Sequence, residues 1–346
     1  MEKLITIVIP TYNMEKYLDK CLTSLIVPDE YMELLEVLVV NDGSKDNSSA
    51  IAHRYEDKYP QTFRVIDKEN GNYGSCVNRG LKEAAGKYIK ILDADDSFDN
   101  QNWKVFMDKL KKTDADLILT DYDLVDENGI IKESRTFDIV SNRILEVLEV
   151  IRPLAEIEMH AITYRRSVLL DMKYHQSEGI SYTDTEWSFI PFMNLTTVCY
   201  FQIKIYNYLV GRNGQTMAPD VFLKKFDEML CVRTKLLDFC TNHNLFYSEK
   251  SLFYRHRLLG FYIRTYTDCL IKRNLPIRLS KIDEDIKNRC PDFYQELDRL
   301  QFSRFAFVHL WRKYNYKLPI FYTMLIRIIY WKRRNFPRFS LLEKFS

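Results

Sequence analysis

Long hydrophobic runs are missing from this 346-residue chain. Nowhere do about 18 uncharged apolar residues follow one another, the length a membrane-spanning helix needs. Met1-Glu2-Lys3 precedes a short apolar run stopped at Pro10. That is too brief for a secretory leader and no cleavage site follows, so the chain is expected in the cytoplasm. Cysteine is sparse in pattern: seven residues, odd in number and never spaced Cys-x-x-Cys. This speaks against a disulfide framework and a thiolate zinc site, and fits a reducing compartment. Two nucleotide-binding loops are also lacking. No Gly-x-x-x-x-Gly-Lys-Ser/Thr occurs, which excludes a P-loop nucleotidase, and no Gly-x-Gly-x-x-Gly follows the first strand, which excludes a dinucleotide fold. Acidic residues nearly vanish from the tail. Residues 301–346 hold ten Lys or Arg against Glu343 alone, 10 − 1 = +9, while the whole chain is only +2. A basic tail implies phosphates, and without a recognisable nucleic-acid module it implies lipid rather than nucleic acid.

What is present is an ordinary globular composition, 46% hydrophobic and 28% charged, over a length that suggests two packed units. Leu4 to Ile9 is a continuous β-branched run, the signature of a strand buried on both faces. A helical pattern follows from Met14 to Leu25, then a second strand, Glu36 to Val40, closed by the turn Asn41-Asp42-Gly43-Ser44. The pattern continues with a helix from Ser48 to Tyr59, a strand from Phe63 to Ile66 and a loop, Asn70-Gly71-Asn72-Tyr73-Gly74. A helix from Cys76 to Ala85, a fourth strand from Lys87 to Leu92, a helix from Trp103 to Lys111 and a strand at Leu117 to Leu119 complete it. Such alternation predicts an α/β fold with a mostly parallel sheet. From about Asp220 the strand signal fades, and Phe222 to Asn242 and Leu252 to Arg273 read as helices rich in Tyr, Phe and Arg.

Ligands of open parallel sheets bind beyond the carboxyl ends of the strands. Here those ends carry Pro10-Thr11-Tyr12-Asn13, Asn41-Asp42-Gly43-Ser44 and Asp93-Ala94-Asp95-Asp96. Three carboxylates within four residues repel one another unless a cation neutralises them. A hard divalent ion with oxygen ligands does so and keeps positions open for a diphosphate. The competing explanation is that Asp95, Asp96 or Asp99 caps the helix near Trp103. One acid suffices for a cap, so metal and diphosphate binding is preferred.

The segments Ile7 to Asn13, Val39 to Ser44, Asn78-Arg79-Gly80 and Leu92 to Asp96, in this order and spacing, resemble glycosyltransferase family 2 over residues 4–130. The resemblance implies a GT-A Rossmann-like domain that binds a nucleotide sugar, as in bacterial enzymes of capsule, exopolysaccharide or cell-envelope synthesis. It places Pro10, Thr11 and Tyr12 beside the nucleobase, Asp42 on the uracil, and Asn78, Asp93, Ala94 and Asp95 on the donor side. Asp95 or Asp96 becomes the ligand of Mn²⁺ or Mg²⁺. The family's Ala-Arg-Asn is Cys76-Val77-Asn78 here, so the arginine and the phosphate or sugar contact it would make are missing at Val77, and whether Arg79 substitutes is left open by the sequence.

Family members also carry a catalytic base at a helix start beyond the acceptor-side segment, which corresponds to Ser181 to Trp187. Thr183-x-x-Glu186 has the form of a capping box, which explains those two residues without chemistry. Asp184 is not needed for a cap, and a carboxylate at a helix N-terminus stays ionised, as a base must. Asp184 is therefore the expected base, with Glu186 and His160 weaker acceptor-side candidates. Arg212, opening the polar loop Arg212 to Met217, is the expected diphosphate contact. The apolar run Phe321 to Trp331, followed by Lys332-Arg333-Arg334, fits an amphipathic helix at an anionic membrane surface. The combined expectation is an inverting, metal-dependent glycosyltransferase. It would move a hexose-type sugar from a UDP-sugar to a glycan or lipid-linked acceptor, peripheral at the cytoplasmic face of the inner membrane. The transferase domain is expected at 1–218 and a helical region at 219–346. Rival readings are a catalytically silent nucleotide-sugar-binding scaffold and a nucleotidyltransferase, though the Gly-rich basic loop of the latter is absent.

Overall fold

The computed structural model describes residues 2–212, 224–271, 276–299 and 307–317, with helical positions 321, 322, 324, 325 and 328 beyond them. Ten strands form one sheet: β1 (Ile5–Thr11), β2 (Leu35–Asn41), β3 (Phe63–Asp67), β4 (Tyr88–Ile91), β5 (Ser97–Phe98), β6 (Leu117–Val125), β7 (Ile131–Arg135), β8 (Ile144–Glu146), β9 (Ile162–Arg165) and β10 (Thr197–Leu209). Their order is β3-β2-β1-β4-β9-β6-β10-β5, with β7 on β6 and β8 on β10. Every residue of β1 is buried, and it pairs in parallel with β2 on one side and β4 on the other. The chain thus leaves β1 in one direction and returns on its far side, which opens a crevice at the carboxyl ends of β1 and β4.

The expected mostly parallel sheet is present in β3-β2-β1-β4 and in the β6–β10 pair. Between these halves β9 runs antiparallel to both β4 and β6, an insertion the sequence pattern does not announce. Helix Asn72–Glu83 lies hard against β1, because a Cβ at Gly80 would stand 2.4 Å from Val8 Cγ1. Under β5 and β10, Trp103 and Phe106 stack at 5.5 Å and are fully buried.

Two local expectations are corrected. The helix read from Met14 to Leu25 shrinks to Leu18–Thr23. Ahead of it, side chains of the turn after β2 capture the backbone: Ser44 and Ser48 hydroxyls accept the N–H groups of Asn13 and Met14, and Asn13 takes φ 53. The loop read at Asn70 to Gly74 is helical from Asn72 onward. There the Asp42 carboxylate accepts the N–H groups of Gly71 and Asn72, satisfying the first turn with a negative charge.

The chain divides into two compact units, Met1–Tyr254 and Arg255–Ser346. Within the second, Asp283 is fully buried and accepts from Tyr266 and Arg312, whose guanidinium also lies 3.6 Å from the Tyr294 ring centre. Among the described residues no helix is long and apolar enough to cross a membrane.

Asp116 joins three strands of the first unit. Its buried carboxylate accepts from Thr196 N–H at 2.8 Å, Thr197 N–H at 3.1 Å and the Thr196 hydroxyl, and it pairs with Arg165. Burial alone would raise this carboxyl, but the bonds from Thr196 and Thr197 and the Arg165 charge hold it below its ordinary range. Its contribution is present above the unfolded carboxyl's pKa, about 3.9, and is lost as pH falls through the lower folded value. Asp116→Ala should cost roughly 3 kcal/mol by stranding buried donors, read as a lower urea midpoint at unchanged m-value.

Candidate active site

The acidic turn after β4 is held by three different parts of the chain. β5 follows it at once and pairs antiparallel with β10, Ser97 opposite Asn207 and Phe98 opposite Tyr206. The Tyr206 hydroxyl accepts the Asp93 N–H at 3.2 Å and donates to Asp96 Oδ2 at 2.6 Å, while Leu209 N–H donates to Asp96 Oδ1 at 2.7 Å. The Asp93 carboxylate accepts from the Tyr73 hydroxyl at 2.8 Å. Asp95 is paired with the Arg212 guanidinium. Each acid therefore has its own partner. Helix capping does not explain them, because Asp99 caps helix Asn100–Leu110 by accepting the Asn102 N–H.

Burial and mutual repulsion dominate the electrostatics. Asp93 is raised by desolvation first and by Asp95 next; Asp96 is raised well above its ordinary value by desolvation, then by Asp95 and Asp93. His160 lies beside them, with one ligand atom each from Asp93, Asp96 and His160 all within 4.8 Å. Its ring stacks on Tyr208 at 4.1 Å and meets the edge of Tyr206 at 4.9 Å. Burial lowers its pKa to about 4, so it is neutral at physiological pH. Its Nδ1 is buried without a hydrogen-bond partner. A pair of clustered carboxylates, a neutral imidazole and an orphaned ring nitrogen fit a divalent cation.

Asp184 begins the four-residue helix Asp184–Trp187 and is exposed. Its charge raises both Asp93 and Tyr73, which sets it close to the acidic turn. The capping box expected around it is not made. The Thr183 hydroxyl accepts from Gln176 Nε2 instead, and the fully buried Glu186 accepts from Ser177 N–H and from Lys235 Nζ. Glu186 is a structural carboxylate here, not one open to an acceptor.

The other expected donor-side residues serve the frame. Pro10 and Thr11 lie in β1, Thr11 buried with its hydroxyl donating to Ile9 O, whereas Tyr12 is 45% exposed. Asp42 is buried under Lys68 Nζ and the Gly71 and Asn72 N–H groups. Asn78 is engaged by the 175–178 segment, its amide bonding both the N–H and the carbonyl of Gln176 at 2.8 Å. Ala94 is buried. Arg79 does not replace the missing arginine: it pairs with Glu83 on the exposed helix face, and Val77 is fully buried. Arg212 also lies 5.6 Å from the Tyr17 ring and lines an open cavity of about 350 Å³ with residues 13–17, Asp46 and Glu127. Asn213 to Met217, the rest of its loop, lie outside the described residues.

Sequence reasoning missed Tyr73, Tyr206, Tyr208 and Lys90. For Lys90 a signal existed, a lone charge inside the apolar run of β4. Its fully buried ammonium donates to the carbonyls of His160 at 2.7 Å and Ile162 at 3.1 Å, and burial lowers its pKa to about 7. It thereby fastens the start of β9, and with it His160, to the end of β4.

Residues 6–171 match the model of glycosyl transferase family 2. A glycosyltransferase of Mycoplasma pneumoniae is 44% identical over 97 residues, 28% of this chain and 32% of that protein. The minor teichoic acid biosynthesis protein GgaB of Bacillus subtilis is 40% identical over 91 residues, 26% of this chain and 10% of that protein. The chain thus spans a third or less of the length of these two curated relatives. Among solved structures, S. aureus TarS residues 1–349 in complex with UDP-GlcNAc superposes with a TM-score of 0.64 at 20% identity, covering 85% of this chain and 83% of that one. That likeness establishes the GT-A fold.

Helix Asn72–Glu83 meets the 175–178 segment without clearance, since a Cβ at Gly74 would stand 1.9 Å from the Ser177 carbonyl oxygen. Gly74→Ala should cost about 1–3 kcal/mol by forcing the two apart. Gly260→Ala, in a helix with nothing within 4 Å, should stabilise by up to about 1 kcal/mol. Thermal unfolding of both variants checks the contrast.

Proposed function

Proceeding from residues 6–171 as a glycosyltransferase family 2 domain, we propose that the chain transfers a sugar from a UDP-sugar to a hydroxyl of a glycan or lipid-linked acceptor, with inversion. The observation that carries this is the gathering of Asp93, Asp95, Asp96, His160 and Arg212 at the mouth of one sheet, with Asp184 near enough for its charge to act on Asp93. UDP-GlcNAc, the ligand named for the TarS structure, is the first donor to try, and the GgaB relative favours an envelope polysaccharide as the product class.

Asp95 and Asp96, with Asp93 and His160 beside them, are the residues that would hold Mn²⁺ or Mg²⁺. Such an ion offsets the negative charge that grows on a leaving nucleoside diphosphate. Arg212, now paired with Asp95, is within reach to pair with diphosphate oxygens once the acids are neutralised. Tyr73 and Tyr206 keep Asp93 and the acidic turn in place through their hydroxyls. Asp184 accepts the proton of the acceptor hydroxyl as that oxygen attacks the anomeric carbon opposite the diphosphate, which inverts the centre. We take the transferase unit as 1–218, with the helical region from 219 supporting it, as a functional division.

The tail is assigned to an anionic lipid surface. Phe321, Met324, Leu325 and Ile328 have helical backbone, follow the i, i+3, i+4, i+7 spacing and are 41–71% exposed. The basic residues Lys332, Arg333 and Arg334 lie outside the described residues. In co-sedimentation, vesicles rich in anionic lipid should retain the protein, neutral vesicles should not, and loss of residues 318–346 should end the difference.

A screen of UDP-sugars for thermal stabilisation and UDP release should give a metal-dependent response that EDTA removes. Asp184→Asn should lower turnover by about 10²- to 10⁴-fold and keep donor binding. Silence towards every nucleotide sugar with metal present would move the assignment to a scaffold, and wild-type turnover in Asp184→Asn would remove the base.

A further inference from the structure

The loop that delivers Asp184 is gripped from two sides. Helix Asn72–Glu83 supplies one side, through the Asn78 amide on Gln176 and the Gly71 carbonyl, which accepts the Gly179 N–H at 2.9 Å. Helix Phe226–Asn242 and the residue before it supply the other. Glu228 Oε2 accepts the Ser181 N–H at 2.7 Å, and Lys225 Nζ donates to the Ser181 hydroxyl at 2.6 Å. Two turns further along, Lys235 Nζ donates to the Ser177 hydroxyl and to Glu186 Oε2, each at 2.8 Å.

This is a costly way to attach a helix. Glu186 is fully buried, and while its Oε2 also accepts the Ser177 N–H at 2.9 Å, its Oε1 has no hydrogen-bond partner. Lys235 is half-exposed, and an ion pair with one buried member repays little of that member's desolvation. What it adds is geometry. Between the two gripped serines the chain passes Gly179 at φ 74, and just beyond the second it takes Tyr182 at φ 65, a conformation that a bulky side chain adopts only when its surroundings impose it. Asp184 stands two residues beyond Tyr182 and two before Glu186, so displacement at either end moves it.

We infer that Lys235, Glu228 and Lys225 are positioning residues that hold the Ser177–Glu186 loop so that Asp184 stands at the acceptor hydroxyl. The inference rests on Asp184 as the base. It gives the helix after the nucleotide-sugar domain a part in the acceptor side of the reaction, acting through the loop and not on the substrate.

The full chain, with UDP-GlcNAc or whichever UDP-sugar responds in the screen and water as acceptor, provides the test. Lys235→Met and Glu228→Gln should each lower kcat for UDP release by about tenfold to a hundredfold, the scale of a misplaced catalytic group, with donor KM within about twofold. Lys235→Arg should recover most of the loss. Hydrogen exchange followed by mass spectrometry should quicken in peptides covering 175–186 and stay as before in β1 to β4. Should Lys235→Met fail to fold, the Glu186→Gln/Lys235→Met pair, which removes both charges of the pair, takes its place beside Glu228→Gln. Unaltered kcat and unaltered exchange in that loop would overturn the inference, as would faster exchange spread evenly over the chain. Asp184→Asn separates the two ideas. If it is inactive while the helix variants are fully active, only the positioning fails; if it keeps full turnover, the base fails and the positioning with it.

Discussion

Three carboxylates crowded within four residues at the end of one buried strand set the terms for the rest of this molecule. Asp93 and Asp96 are pushed upward first by burial and then by the charge of Asp95. Left unpartnered, such groups would each carry a desolvation penalty of about 1–3 kcal/mol or more. The fold answers by giving each acid a separate partner from a distant part of the chain: Tyr73 for Asp93, Arg212 for Asp95, and Tyr206 with Leu209 for Asp96. Those partners keep the acids apart in geometry without cancelling their charge. A tyrosine hydroxyl and a backbone N–H bring no formal charge, so among the described residues Asp95 alone of the three is ion-paired with a cation.

That arrangement explains why β10 is 13 residues long and irregular. Its register against β6 shifts between Phe201 and Tyr206, and this places Tyr206 opposite Phe98 and sets Leu209 at Asp96. A bulge re-aims side chains without ending the strand. The same strand presents Tyr206 and Tyr208 to the His160 ring, and Lys90 secures the backbone of His160 from β4. An apolar residue at 90 would leave the carbonyls of His160 and Ile162 without these donors. The buried lysine is therefore best understood as a tie between the parallel half of the sheet and the antiparallel β9.

The parts legible in the sequence are those where one local rule decides the outcome. β1, β2 and β4 are continuous apolar runs because both faces are covered, and the turn-forming or acidic residues that end them fall where the sheet opens. Helices beyond residue 224 were readable from spacing, with Phe226–Asn242 and Ser251–Ile271 close to their expected limits. Where two rules competed, the longer-range one won. Thr183 and Glu186 have the spacing of a capping box, yet Gln176 and Lys235 hold them instead. Met14 to Tyr17 have helical composition, yet Ser44, Ser48 and Asp46 take the N–H groups of residues 13–15. Asn78 belongs to the family motif but is spent on Gln176, a hydrogen bond between residues 98 positions apart that no spacing reveals.

This difference divides the site. The acidic turn and its neighbours are built from strand ends, so those residues lie in short contiguous motifs, and they fall within the residues 6–171 that match the family model. The loop 175–186 lies beyond that stretch, and its shape comes from contacts with helix Asn72–Glu83 before it and helix Phe226–Asn242 after it. Motifs cannot encode such an arrangement, because each contact joins residues of unrelated local sequence. Changes at Ser177, Ser181, Glu228 or Lys235, none of which lies in a recognisable motif, can therefore remodel that loop and leave the strand ends as they are. The same physics that makes the reaction class readable here leaves the acceptor to be read from structure.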